Sequence, residues 1–424
     1  MKKRKVTAIA ALVLLGGLTL FTGCSEEEKE KTEITFIHGW GAMDADHVNM
    51  RKIYEEFQNN NPDIQLNMVS MPSSDDVISK TEEMLSVGEI PDIVFTGGTG
   101  VDSLYEFMVQ KEYALDMMPY IEDDEEFKGD IAEENLKYWT TAEGNLYTIA
   151  DVQLLCGYWF NTKIFEAAGI SEIPKTWSEL EEDCKKIKSW SDENAMDVFP
   201  MMPETDNYLY FADALLLDQG GVTARKIMDG NVILQSGAFL EMLEQLKNIY
   251  PYTYNGQEEY TYRDSLQNFN DEKSAIYING VWANTMIADD IDVKYATFPS
   301  SSGKSVSCLA VSAGYILGNT KDQDKIDASI RFIKYMLSDK VQREILETTG
   351  QVPANPFIDI SQYKDMNPRL VQAVEVVNNA DIKIETPDNL WTLKQKQAFS
   401  DHILDVLSEK MDSSEFVNIL KNEG

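Results

Sequence analysis

At 424 residues, with 43% hydrophobic and 10% aromatic side chains, the chain is longer than one hydrophobic core usually serves, so two lobes are expected. Its 37 Lys and Arg face 72 Asp and Glu, a formal charge of −35. That balance argues against nucleic acid or anionic lipid headgroups as partners, because both are bound by cationic side chains that displace counterions.

Lys2, Lys3, Arg4 and Lys5 open the chain, and an apolar run from Val6 to Phe21 follows, broken only by threonines and glycines. A basic start and an apolar stretch shorter than the roughly 18 residues of a spanning helix make a secretory signal. Phe21-Thr22-Gly23-Cys24 resembles the lipobox of bacterial lipoproteins, where small residues precede a cysteine that is acylated and becomes the first mature residue. Residues 1–23 are therefore read as signal peptide, Cys24 as the lipidation site and 24–32 as a lipidated, charged tether. An ordinary signal peptide with a chance cysteine is the competing reading. Removal of residues 1–23 deletes four basic residues and no acid, leaving 33 against 72 and a formal charge of −39. A single acyl chain holds a protein only marginally, and diacylation at Cys24 would supply a second.

Past the tether, Glu33 to His38 reads as a strand ending at Gly39-Trp40-Gly41. Met50, Ile53, Tyr54 and Phe57 fall at helical spacing, and Asn61-Pro62-Asp63 stops that helix. Ile64, Leu66 and Met68 alternate as a strand, a helix covers about Asp75 to Val87, and Asp92 to Phe95 is a third strand. Alternating strands and helices are the grammar of a parallel sheet with covered faces, so the fold class is α/β. Further on, Thr176 three residues before Glu179 forms a capping box, and Trp177, Leu180, Cys184 and Ile187 share the core face of the helix it opens. Helices are expected over Phe239–Tyr250, Ile326–Met336 and Leu393–Leu407, and strands over Ser274–Ile278 and Asp292–Phe298. Cys156, Cys184 and Cys308 are odd in number without a CxxC, so buried thiols are expected, with one disulfide pair left open.

Catalytic signatures are missing. The histidines are His38, His47 and His402, too few for HExxH or another His-rich metal site, and no GxSxG occurs. Gly303-Lys304-Ser305 lacks the phosphate-loop glycine, since position 298 is Phe298, and reads as a turn. Gly97-Gly98-Thr99-Gly100 lacks GxGxxG spacing and reads as a tight turn or a close ligand approach. No carboxylate pair can be singled out as a glycosidase dyad. No cofactor and no metal are expected.

Aromatic residues are placed more tellingly. Trp40 follows the first strand, Trp159 and Phe160 fall in what reads as a connection after Tyr147 to Asp151, Tyr208 and Tyr210 precede an apolar helix, and Trp282 follows Asn279-Gly280. Open α/β sheets bind ligands at the carboxyl ends of their strands, and flat rings suit the apolar faces of sugars. Each ring alone is more often core packing, so the weight lies in their shared placement.

Several segments occur in an order that resembles the extracellular solute-binding proteins, family 1, of ABC sugar importers. They are Ile34 to Gly41; "FQNNNPDI" from Phe57; "DIVFTG" from Asp92; "LDMMPYI" from Leu115; "YWFNTKIFEAAGI" from Tyr158 to "PKTW" at Trp177; "LLLDQGG" ending at Gly221; "SAIYINGVWA" ending at Ala283; and "FIKYMLSDKVQREILETTGQVPANP" ending at Pro356. The resemblance covers essentially the whole mature chain. It implies a two-lobed periplasmic-binding-protein-like fold with three hinge crossings, near Asp151, near Cys308 and near Val352 to Asn355. Lobe 1 would hold residues 31–150 with 309–352, and lobe 2 residues 153–306 with 356–424. It also implies ligand-binding roles for Trp40, for Asp151 after "Y-x-I-A", for Asn207, Tyr208 and Tyr210, for Trp282 in "NG-x-W" and for Trp391. Thr99 replaces a carboxylate found nearby in maltose-binding relatives, which weakens the case for maltose. The implied function is a monomeric, non-enzymatic receptor that is lipid-anchored outside the cytoplasm, binds a sugar or oligosaccharide and docks on an ABC permease. The competing readings are the same fold binding a polyamine, peptide or metal, and a lipid-anchored glycoside hydrolase.

Overall fold

The computed structural model describes residues 31–95, 103–204, 208–211, 237–253, 261–311, 314–356, 358–363, 367–384 and 391–423. The signal peptide, Cys24, the glycine cluster at Gly97 to Gly100 and Asn207 lie outside the described residues.

Among these residues are twelve strands in two sheets. The first is five-stranded, in the order β2–β1–β3–β10–β4, from Ile64–Ser70 (β2), Thr32–His38 (β1), Ile93–Phe95 (β3), Tyr315–Leu317 (β10) and Thr148–Ile149 (β4). β1 pairs in parallel with β2 and β3, as the alternation of strands and helices requires, whereas β10 returns antiparallel between β3 and β4. The helix Ala45–Asn60 buries Met50, Ile53, Tyr54 and Phe57, the residues whose spacing announced it. They meet Phe36, Phe95, Tyr315 and Phe332 in one core.

The second sheet runs β12–β9–β5–β7–β6, with β8 and β11 also pairing to β5. Its members are Val152–Asn161 (β5), Phe199–Met201 (β6), Ser274–Gly280 (β7), Val293–Ala296 (β8), Val306–Val311 (β9), Val352–Pro353 (β11) and Ile382–Ile384 (β12). β5 is buried on both faces. Cys156, Tyr158 and Phe160 face a core with Trp177 and Cys184, while Leu155 and Trp159 face another with Tyr277 and Tyr295. Trp159 and Phe160 therefore belong to a central strand and not to a connection, which corrects the sequence reading. The Thr176–Glu179 capping box forms as read, Thr176 Oγ1 accepting from the Glu179 amide at 3.2 Å and Glu179 Oε2 from the Thr176 amide at 2.9 Å. Cys184 is a buried thiol, and Cys308 stands opposite Cys156 in the β5–β9 register.

The chain passes between the sheets from β4 to β5 through Asp151, back from β9 to β10, and again where the helix Asp339–Thr349 gives way to β11. β9 stays paired to β5 as far as Val311, so the second passage follows Val311, three residues past Cys308. Gly314 there has φ +63°, and a Cβ on it would lie 2.1 Å from the Ile149 carbonyl oxygen, so only glycine fits.

Candidate ligand-binding site

The loop after β1 is built by polar side chains that the sequence hides. His38 is fully buried, and its Nδ1 accepts the Trp40 amide at 3.2 Å while its Nε2 lies 3.0 Å from Ser70 Oγ. Accepting at Nδ1 fixes the neutral tautomer with the proton on Nε2. Burial, with help from Arg51 and His47, pushes the imidazole down to about 3. Arg51 donates to the carbonyls of Trp40 and Ala42, and His47 Nδ1 accepts the Ala42 amide at 3.2 Å. The Trp40 ring that results is half-buried, stacked on Phe95 with centroids 6.0 Å apart at 19°, and met edge-on by His47 at 5.0 Å.

On the second sheet, Trp282 is the second residue of the short 3-10 helix Val281–Thr285 that directly follows β7. Its indole lies flat over Gly280, where a Cβ would come within 1.9 Å of the ring, and it is half-buried at the edge of the core where Tyr210 also sits. Asn284 ties this helix down, donating to the carbonyls of Val281 at 2.9 Å and Gly350 at 3.0 Å.

The two settings meet. Arg263, on the helix Tyr262–Asn270 beside β7, lies 3.2 Å from Asp44, four residues past Trp40, with the two side chains 78% and 55% exposed. Among the described ion pairs it is the one that joins the helices and loops of one sheet to those of the other. A half-buried indole at a strand end offers a partly open flat face of the kind that stacks on an apolar ligand surface.

Three other expected positions, Asp151, Tyr208 and Trp391, are buried. Asp151 is fully buried at the first passage, where its Oδ2 accepts the Tyr315 hydroxyl at 2.7 Å, and burial pushes its carboxyl up to about 6. Tyr208 is buried, its hydroxyl 3.4 Å from Thr253 Oγ1. Trp391 is 3% exposed, with ring centroids 5.9 Å from Phe239 and 5.6 Å from Phe399. Tyr208 and Trp391 thus present no open ring face, because both point into the core that covers one side of β5. The sequence reading gave no part to His38, Arg51 or Arg263 in these surroundings, and only the proximity of His38 to the end of its strand could have drawn attention to one of them. Two open concavities of about 410 and 470 Å³ share Phe160, Ile173 and Lys294 at the end of β5 remote from Asp151, away from both indoles. Among the described residues no group of three or more His, Cys, Asp or Glu could hold a metal ion.

The model of a family described as bacterial extracellular solute-binding protein matches residues 52–361. A multiple sugar-binding protein of Streptococcus mutans is 23% identical over 77% of this chain and 76% of its own length. A Streptococcus pneumoniae solute-binding protein, solved with the blood group A-trisaccharide, superposes with a TM-score of 0.76 at 20% identity, covering 92% of this chain and 98% of that one. A chitin oligosaccharide binding protein gives a TM-score of 0.78 at 18% identity over 93% and 98% of the two chains. At these identities the likeness to solved structures establishes the two-sheet fold.

Proposed function

The chain belongs to the bacterial extracellular solute-binding proteins, non-enzymatic receptors of ABC transport, and from that premise we propose that this receptor captures an oligosaccharide between two lobes and hands it to a membrane permease. The lobes of this reading are residues 31–150 with 314–352 and residues 153–311 with 356–424, the boundary being set after β9, which ends at Val311. The observation that carries the reading is the pair of half-buried indoles, Trp40 and Trp282, each just past a strand end and in different sheets, whose surroundings one exposed ion pair, Asp44–Arg263, spans. Tyr210, half-buried against the large core on which Trp282 also packs, is kept in this reading as a third aromatic candidate. Two or three stacked rings with buried hydrogen bonds supply the roughly −8 kcal/mol of micromolar binding. Closure by a hinge at the three passages would bury the sugar and create the surface that docks on the permease.

A thermal-shift screen of neutral oligosaccharides, polyamines, peptides and divalent cations tests it, because a ligand that binds only the folded state raises the melting midpoint. A shift with one class of oligosaccharide is expected; a shift confined to a cation or peptide refutes the sugar assignment. Lipidation at Cys24 completes the proposal by keeping the receptor beside its importer, and Cys24→Ser should move the protein from the membrane to the soluble fraction. Persistence of that variant with membranes would remove the lipid anchor.

A further inference from the structure

Two buried hydroxyls connect the Trp40 ring to the first passage between the sheets. The Tyr315 hydroxyl on β10 donates to Asp151 Oδ2 at 2.7 Å, and the Tyr54 hydroxyl, from the helix Ala45–Asn60, lies 3.3 Å from that of Tyr315. Beyond Tyr54 stands Trp40. Its indole N–H is buried and acts on the Tyr54 oxygen, although no aligned hydrogen bond forms. Tyr54, Tyr315 and Asp151 are fully buried, so bulk solvent supplies none of them with a partner.

Both ends of this series are unsatisfied: Trp40 Nε1 has no aligned acceptor, and Asp151 Oδ1 has no partner among the described residues. An indole only donates and an ionised carboxylate only accepts, whereas a phenol does both. With Asp151 ionised, every donor can point the same way, Tyr315 to Asp151, Tyr54 to Tyr315 and the Trp40 N–H to Tyr54. A proton added at Oδ1 finds no acceptor there. Added at Oδ2, it donates to Tyr315, which turns its hydroxyl to Tyr54, and the Tyr54 hydroxyl then meets the Trp40 N–H donor to donor. A buried donor without an acceptor is costly, and Trp40, the one member not fully buried, is the ring that can give way.

Few other groups bear on the series. Burial and Tyr315 act on the Asp151 carboxyl, and no charged side chain among the described residues does. Its neighbours are neutral, the Ala354 amide on the Asp151 carbonyl at 2.8 Å and Asn135 on the Ala150 carbonyl at 2.9 Å. His38, which burial keeps neutral, meets the Tyr54 ring with centroids 5.2 Å apart. Against Trp40 lie Arg51 and His47, the latter held below the usual histidine value by burial, with Asp46 and Asp44 opposing and Arg51 and Arg263 assisting.

We propose that Asp151 is a proton switch on the Trp40 ring, acting through Tyr315 and Tyr54, so that ionisation sets the ring for ligand capture and acid loosens it. The use of Trp40 as a ligand face rests on the receptor reading above; the coupling belongs to the protein without ligand. Because the ligand favours the ionised form, affinity is full above the folded value of about 6 and falls as pH drops through it, with binding releasing a proton.

The test follows the isotope-labelled Trp40 indole N–H by NMR, its resonance assigned by its absence in Trp40→Phe, from about pH 7.5 to about pH 5 without ligand. In wild type the resonance should shift with a midpoint near 6. It should hold still in Asp151→Asn, whose amide oxygen accepts Tyr315 without titrating, and in Tyr54→Phe, which interrupts the series. A wild-type resonance that does not move, or one that moves equally in Asp151→Asn, overturns the switch. A shift kept in Tyr54→Phe but lost in His47→Gln assigns the titration to His47 and overturns it too. Calorimetric titration at both pH values with maltotriose, raffinose and chitotriose reads the consequence: for a sugar that binds, wild type should weaken about fivefold or more in acid and each variant by less than about twofold. An equal loss in all three proteins overturns the link to capture. If none of these sugars binds while another solute class does, the sugar reading fails, and the resonance still upholds or overturns the switch.

Discussion

The Tyr315 hydroxyl donates to Asp151 Oδ2 at 2.7 Å, fastening β10 of the first sheet to the residue where the chain leaves for the second. The other carboxylate oxygen is buried with no hydrogen-bond partner among the described residues. Burial raises the Asp151 carboxyl to about 6, the Tyr315 hydrogen bond opposing the shift. Since the folded value exceeds the unfolded one of about 3.9, the native state favours the neutral acid. Its stabilising contribution is complete below pH ~4, declines as pH rises to ~6, and above that about 3 kcal/mol has gone. Asp151→Asn should remove this dependence, so that in urea melts the variant gains on wild type between pH 4 and 6. A difference that does not vary with pH would mean that Asp151 titrates normally.

His38 is expected to act in the opposite direction. Its folded value of about 3 lies below the unfolded value near 6.5, so the fold holds the neutral ring and loses stability as pH falls. By pH 5 this amounts to about 2 kcal/mol. His38→Gln, which can still accept the Trp40 amide and donate to Ser70, should flatten the loss between pH 7 and 5. Equal acid sensitivity of the two proteins would contradict the buried neutral imidazole.

Gly280→Ala offers a way to move Trp282 without removing it. The backbone there, φ −75° and ψ 176°, suits alanine, so the added Cβ acts only through its collision with the indole. Loss of about 1 to 3 kcal/mol of sugar binding is expected, matching Trp282→Ala. If binding survives Gly280→Ala and Trp282→Ala alike, while the melting midpoint collapses in the latter, Trp282 is a packing residue.

The Asp44–Arg263 pair is too exposed to contribute much to stability. A double-mutant cycle with Asp44→Asn and Arg263→Gln should give a coupling of about 0.2 to 1 kcal/mol at low salt, vanishing near 1 M salt. A coupling that persists at high salt would point to a contact other than an exposed ion pair.

Much of the fold could be read from the chain because its faces are distinct. The helix around Met50 and Phe57 and the helix capped by Thr176 each carry an apolar stripe against a polar surface. β5 could not be read so easily, since burial on both faces leaves "VQLLCGYWFN" without alternation, and Trp159 passed for a loop residue. In the proposed site, Trp40 and Trp282 could be read as rings just past strand ends. Tyr208 and Trp391 were not distinguishable from them, because sequence shows a ring but not which way it faces. Arg263 and Asp44 are 219 residues apart, and no local pattern announces that they meet.

The most direct measurement is a calorimetric titration of the protein, prepared without its first 24 residues, with neutral trisaccharides, followed by chromatographic recovery of the sugar. The account predicts saturable one-to-one binding at micromolar affinity, a loss of about fivefold or more in Trp282→Ala, and recovery of the sugar unchanged. Heat with spermidine or a divalent cation and none with any oligosaccharide, or sugar recovered cleaved in proportion to protein, would contradict it.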